Sequence, residues 1–231
     1  MSMKIFPRQA VTAYIQTKIC LFFAITAISG AVYADRTIAC LKGEIQNAAC
    51  TRMIINYWSH NAAMERIARE EGVEPALLKA LVAQESHYNH RAVSPVKATG
   101  LTQVMYGTAS DLGVRPHELF VPEVSLRTGA RYLRQMYERF GRLDLALAAY
   151  NAGPGRVQRA GNQIPRIAET QNYVRKVSAL YYEFKQKEQR TSASATVAHS
   201  ATLSSGGAMT STKRLGTYNN PYQSLTSNQS M

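Results

Sequence analysis

The sequence predicts an all-α domain. Apolar residues recur at three-and-four spacing in several separate stretches, recognisable stop residues follow those stretches, and no alternating run is long enough to build a sheet. The body from about Cys50 to Lys187 is long enough to bury a core of its own. We divide the chain into a leader over 1–34, a segment over 35–60 that contains Cys40 and Cys50, a folded domain over 61–187 and a low-complexity tail over 188–231.

Taken in order, Lys4, Arg8 and Lys18 precede an apolar run from Ile19 to Ile28, and Val32-Tyr33-Ala34 supplies small residues at a cleavage position. This is the pattern of a secretory signal peptide cut after Ala34. The run is too short and wrongly flanked for a stable membrane span, so the expected destination is the periplasm. Cys20 would leave with the leader, and Cys40 and Cys50 remain as an even pair in an oxidising compartment, where a disulfide between them is the expectation. Lipidation of Cys40 is the rival, with a poor first position in Thr37-Ile38-Ala39-Cys40.

Pro75 fits the first turn of a helix behind Glu74 as a mediocre cap, and Leu77, Leu78, Leu81 and Val82 mark its apolar face. A short helix over Thr108–Leu112 stops at Gly113. The next runs from Pro122 to Phe140 with Leu126, Ala130, Leu133 and Tyr137 on one face and Gly141 as its stop. Asp144 can cap a helix through Leu145, Leu147 and Ala148 to Tyr150, ending at Asn151 and Gly153. The last, about Thr170 to Lys187, carries Tyr173, Val177, Leu180, Tyr181 and Phe184, a stripe of the kind that fills cores. From about Thr191 onward Ser, Thr, Ala, Gly and Asn dominate and no acidic residue remains, so the tail is expected to be disordered.

Chemistry concentrates at Glu85. It falls four residues after Leu81 on the same helix face, at the end of an apolar run. Burial penalises the ionised form of a carboxyl, raises its pKa and leaves a proton to donate to a glycosidic oxygen. On position alone Glu85 is more simply a solvated helix end. The company it keeps along the chain changes that reading.

The succession ALLKALVAQESHYN, AVSP, GLTQVM, GARYL and LALAAYNAGPGRV, spread between about Met64 and Tyr182, resembles the soluble lysozyme-like (SLT, goose-lysozyme-like) lytic transglycosylases, notably the small ones that accompany secretion or conjugation systems. The resemblance implies a lysozyme-like fold and a lyase acting on peptidoglycan. It implies that Glu85 is the sole acid and base, that Ser94 orients its carboxylate, and that Gln103 and Met105 line the saccharide groove. It implies too that Tyr150 and Asn151 close over the acid and the sugar. Read singly, Ser94 is a turn residue before Pro95 and Tyr150 a core aromatic. The motifs depart from the family at Thr102, usually Met, at Tyr106, usually Pro, at Lys97, often Gly, and at Ser125, often Asn. If the family loop has a positive φ at position 97, a lysine is poorly suited to it.

Between Glu85 and Gly113 the only other acid is Asp111, read as a solvated helix residue. With one carboxylate, attack by the sugar's own hydroxyl is the natural route, and the resemblance implies its details: Glu85 would protonate the oxygen between N-acetylmuramic acid and N-acetylglucosamine, then take the C6 hydroxyl proton as a 1,6-anhydro ring closes. A two-carboxylate hydrolase needs a second acid.

Other classes lack support. His87 and His90 flank Glu85 without the HExxH spacing, and there is no GxSxG elbow, phosphate-binding loop or paired CxxC, so no metal or other cofactor is expected. Net charge is +12 and the pI about 9.8, which favours polyanionic partners. The basic residues Arg127, Arg131, Arg134, Arg139, Arg156, Arg159 and Arg175 are scattered and form no nucleic-acid-reading motif, so the expected partner is peptidoglycan, whose peptides carry carboxylates. Components of a secretion or conjugation machine are a further expected partner. The rival readings are a goose-type lysozyme and a wall-binding scaffold without catalysis.

Overall fold

A computed structural model of the chain describes residues 36–204, with side chains as far as 191. The leader with its cleavage position and the tail from residue 205 lie outside the described residues. The chain divides into Met1–Gln46 and Asn47–Met231. In the first unit a helical stretch over 36–42 closes on paired bonds from the Gly43 and Glu44 amides to the Cys40 and Ala39 carbonyls. Cys40 and Cys50 are each disulfide-bonded, which leaves Cys40 no thiol for a lipid.

The second unit opens with α1, Ala48–Glu70, which sequence periodicity did not bring out. Its signals were present: the Asn47 side chain accepts from the Cys50 amide as a cap, and Cys50, Met53, Tyr57, Met64, Ile67 and Ala68 are buried at helical spacing. The boundary drawn at 60/61 therefore falls inside a helix, and the division comes after Gln46. Helix α2 is Pro75–Ser86, α3 Tyr106–Asp111, and a 3-10 turn covers Pro116–Phe120. Helix α4 is Pro122–Phe140, α5 Leu143–Ala152, α6 Pro154–Arg159 and α7 Ala168–Ser204. Among the described residues there is no strand, only two isolated bridges, Val93 with Thr99 and Thr99 with Val104. The all-α expectation holds.

Two helices form the centre. All of Ala76–Ala83 in α2 is buried, as is Leu145–Tyr150 in α5. The apolar face expected of α2 is thus only part of a helix that is covered all round. Helix α7 packs along both α2 and α5, α1 lies against α2 and α4, and α4 flanks α5. In α4 the buried face is Leu126, Ala130, Leu133 and Met136, with Tyr137 only half-buried, and Gly141 ends it in the left-handed conformation. Arg142, not Asp144, stands at the start of α5, and Asp144 pairs with it. Helix α7 runs on to Ser204, beyond the end placed at Lys187. Once packing supplies a nucleus, extending a helix through Ala and Ser needs little more, and no Gly or Pro interrupts it before Gly206.

Burial of α2 includes Lys79, whose ammonium meets Glu65 of α1 at 2.8 Å and Glu188 of α7 at 2.9 Å. One cation thus clasps three helices. Around it Tyr57 stacks on Phe184 at 5.9 Å and meets the ring of fully buried Tyr88 edge-on at 5.2 Å. On the other side of α1, buried Glu71 takes both Arg127 (2.7 Å) and Arg131 (2.9 Å) of α4.

Replacing Glu65 and Glu188 together by Gln strands the Lys79 ammonium. The expected loss is roughly 3 kcal/mol, measured by urea unfolding, because a buried charge without partners costs far more than the exposed pairs elsewhere contribute.

Candidate active site

Helix α2 ends one residue after Glu85, and the end is built from residues that forgo ordinary backbone geometry. His87 and Tyr88 have φ of 50° and 63°, a local cost offset by complete burial of the Tyr88 ring, whose hydroxyl donates to the Lys79 carbonyl at 3.3 Å. Ser86 then ties this end to the next loop through a 2.8 Å bond from its hydroxyl to the Leu101 carbonyl.

That loop, residues 92–105, is held from several sides. Gly100, at φ 79°, packs so closely that a Cβ there would lie 2.1 Å from the Leu119 carbonyl oxygen. The Tyr150 hydroxyl of α5 donates to the Thr102 carbonyl at 2.8 Å. Thr102 and Ser125, two of the positions at which the motifs depart from the common pattern, sit against each other: the Thr102 hydroxyl donates to the Ser125 carbonyl at 2.7 Å. Thr102 fits because residue 129 is glycine; a Cβ there would come within 2.4 Å of the threonine Cβ. Lys97 does take a positive φ, 68°, closing a turn with its amide on the Ser94 carbonyl at 2.9 Å. Exposed as it is, the lysine meets no clash beyond its own backbone, at a cost of about 1 kcal/mol.

The cleft beside Glu85 has a volume of about 260 Å³ and is lined by Gln84, Glu85, Asn151, Glu169, Asn172, Tyr173 and Lys176. The Glu85 side chain is half-buried, and its Oε1 accepts a hydrogen bond from the Tyr173 hydroxyl at 2.5 Å. Burial pushes the carboxyl up to about 8, while the Tyr173 hydrogen bond pulls the other way. Glu71 shows the opposite outcome in the same fold. Burial acts on it too, but hydrogen bonds from Arg131 and Arg127 outweigh it and hold the carboxyl below the usual range. Glu85 has a phenol for a neighbour where Glu71 has two guanidiniums, and so it remains protonated at neutral pH.

Of the residues singled out from the sequence, Glu85 and Asn151 meet in this cleft. Asn151 Oδ1 accepts from the Thr170 hydroxyl at 2.8 Å, which fixes its amide. Tyr150 is buried, its hydroxyl spent on Thr102, and burial and the nearby Glu85 raise its pKa well above the ordinary value. It supports the loop. Ser94 Oγ accepts from the Ala98 amide at 3.0 Å, so in this state it stabilises its own turn. The group that touches the carboxyl is Tyr173, which the sequence presented as one member of a core stripe. Gln103 donates to the Ala92 and Gly100 carbonyls at 3.1 and 2.9 Å and likewise braces the loop. Met105 is exposed at the start of α3.

The cleft residues that sequence reasoning missed lie mainly on α7. Glu169, Asn172, Tyr173 and Lys176 follow at i, i+3, i+4 and i+7 and so share one helix face, and of the four only Tyr173 belongs to the stripe read as core packing. Glu169 also corrects the count of acids, since a second carboxylate, far beyond Gly113 in the chain, lines the cleft from α7. Among the described residues no group of three or more His, Cys, Asp or Glu is arranged to hold a metal, and no helix is long and apolar enough to cross a membrane.

The family model of the transglycosylase SLT domain matches residues 62–173. The soluble lytic murein transglycosylase of Escherichia coli K12 is 34% identical over 161 residues, covering 60% of this chain and 25% of that protein. The membrane-bound lytic murein transglycosylase F 1 of Alkalilimnicola ehrlichii is 39% identical over 116 residues, covering 47% and 22% respectively. Among solved structures, an inactive mutant of lytic transglycosylase Slt from Pseudomonas aeruginosa superposes with a TM-score of 0.52 at 34% identity, over 56% of this chain and 24% of that one. The chain therefore spans about a quarter of the length of the relatives it matches.

Glu85→Gln should stabilise the fold at alkaline pH and leave it unchanged in acid. With a folded pKa of about 8 against an unfolded value of ~4.3, the native state holds a proton through that window that the unfolded state has lost. Wild-type stability therefore falls as pH rises from ~4.3 to about 8, and Gln removes the penalty. The gap between the two proteins in urea unfolding should be near zero at the acid end. Above the upper limit it should reach about 2–4 kcal/mol, reduced from the full value by the open side of the cleft.

Proposed function

The chain carries a transglycosylase SLT domain over residues 62–173, and from that premise we propose that it is a peptidoglycan lytic transglycosylase in which Glu85 acts first as acid and then as base. The observation that carries the proposal is the protonated, half-buried Glu85 carboxyl, hydrogen-bonded by Tyr173 at the wall of an open cleft. The substrate bond is the β-1,4 link between N-acetylmuramic acid and N-acetylglucosamine.

The steps balance without water. Glu85 gives its proton to the glycosidic oxygen as the bond to the muramic C1 lengthens, and the Tyr173 hydroxyl steadies the carboxylate that results. The same carboxylate then takes the proton of the muramic C6 hydroxyl as that oxygen closes on C1, giving a 1,6-anhydro end and restoring the acid. Asn151, its amide held by Thr170, faces the cleft where it can donate to a substrate carbonyl or hydroxyl.

Glu169 favours a second reading. A carboxylate on the far wall is the partner a hydrolytic glycosidase uses to activate water or attack the sugar. The hydrolase would leave reducing ends in place of anhydro ends. Export to the periplasm and service to a secretion or conjugation machine are part of the same proposal. Export is supported by the basic-then-apolar leader and by disulfide bonding at Cys40 and Cys50, which fits an oxidising compartment, and the machine by the family resemblance alone.

Digestion of purified peptidoglycan, with released sugars resolved by mass spectrometry, separates these readings. Wild type should release anhydromuramyl ends, Glu85→Gln should lower the rate by at least about a thousandfold, and Glu169→Gln should still make anhydro ends. Reducing ends that vanish in Glu169→Gln would establish a hydrolase, and no product from wild type would favour the scaffold.

The pH profile gives a further test. As the donor must be protonated, kcat/KM should fall as pH rises through about 8. The Tyr173 hydrogen bond favours the ionised carboxyl, so Tyr173→Phe should move that limb to higher pH while lowering kcat by roughly ten- to a hundredfold. A limb unmoved by the substitution would show that Tyr173 does not act on Glu85.

A further inference from the structure

Helix α7 places its charges unequally along the cleft. Glu169 and Lys176 lie two turns apart on one face, about 10 Å along the axis, and Tyr173 stands between them opposite Glu85. The cleft thus has an acidic end, near Thr170 and Asn151, and a basic end near His87.

The lysine is not what tunes the acid. Burial and the Tyr173 hydroxyl account for Glu85, whereas His87 is held down by burial and then by the Lys176 ammonium. His87 is therefore neutral near pH 7, and Lys176 is the positive charge at that end of the wall. On the substrate the charge is also unequal. N-acetylglucosamine is neutral, and every carboxylate belongs to the muramic acid side, either on its lactyl ether or on the peptide attached there.

Building on the transglycosylase reading, we propose that Lys176 is a specificity-determining residue: it receives a carboxylate carried by muramic acid and so fixes the register in which the alternating strand passes Glu85. A charge that only every second ring can meet separates the two registers. Asn172 lies between the two charges and lines the same wall. Register matters because only one of the two brings the muramic C1 and its C6 hydroxyl to the bond that Glu85 protonates.

The test measures kcat and KM of the full chain, as wild type, Lys176→Gln and Lys176→Arg, on peptide-bearing strands and on strands whose peptides an amidase has removed. Lys176→Gln should raise KM about tenfold or more with kcat nearly kept, and Lys176→Arg should stay close to wild type. A KM difference confined to peptide-bearing strands assigns the contact to a peptide carboxylate, and one confined to stripped strands assigns it to the lactyl carboxylate, which the amide bond to the peptide otherwise caps. Strand binding by Glu85→Gln, with and without Lys176→Gln, reads the same contact without turnover. Equal KM and equal binding for wild type and Lys176→Gln on both strands would overturn the proposal. Reducing ends from wild type would instead sink the transglycosylase reading, and the KM and binding comparisons would still decide the role of Lys176.

Discussion

A carboxyl group that meets a phenol and little else is costly to ionise, and the architecture around Glu85 preserves that condition. Helix α2 is buried on every side from Ala76 through Ala83, with Lys79 the one charged residue among them, so its last turn emerges from the core. Helix α7 then covers that turn and brings Tyr173 within 2.5 Å of the carboxyl. Burial raises the affinity for a proton, and the hydroxyl limits the rise and steadies the anion that forms on proton transfer. A guanidinium in place of the phenol would give the state seen at Glu71, a permanent anion unable to donate.

The loop that follows the acid in the chain, residues 92–105, is braced by hydrogen bonds to three helices. Ser86 from α2, Ser125 from α4 and Tyr150 from α5 converge on Leu101 and Thr102. The substitutions at 102 and 125 answer one another, since a hydroxyl at each satisfies the other's buried polar groups, and Gly129 leaves the space. They alter how the loop is braced without exposing the carboxyl. Lys79, with Glu65 and Glu188, performs the comparable task for α7 and so keeps Tyr173 in register.

Much of this was legible in the chain. Helical periodicity located α4 to the residue and α2, α5 and the start of α7 closely, and the family resemblance led to Glu85 and Asn151. What escaped has physical reasons. Helix α1 mixes its buried residues with many polar ones, so its stripe is diluted. The end of α7 was hidden because a Ser- and Ala-rich segment lacks the apolar residues that signal order, although it continues a helix nucleated elsewhere. Tyr173 and Glu169 were hidden differently: a periodic stripe shows that residues share a face, but not that the face divides between core and cleft. Ser94, Gln103 and Tyr150 read as contacts to the acid or the sugar because they recur in motifs, and in the structure their polar atoms brace the loop.

Everything in the proposed chemistry depends on Glu85 keeping its proton at neutral pH. Carbon-13 NMR of protein labelled at glutamate side-chain carboxyls, with the Glu85 signal assigned by its loss in Glu85→Gln, measures that titration without substrate. A midpoint near 8 is expected. A midpoint at the ordinary glutamate value of ~4.3 would mean that the cleft leaves the carboxyl solvated and ionised, and the acid would have to be sought elsewhere.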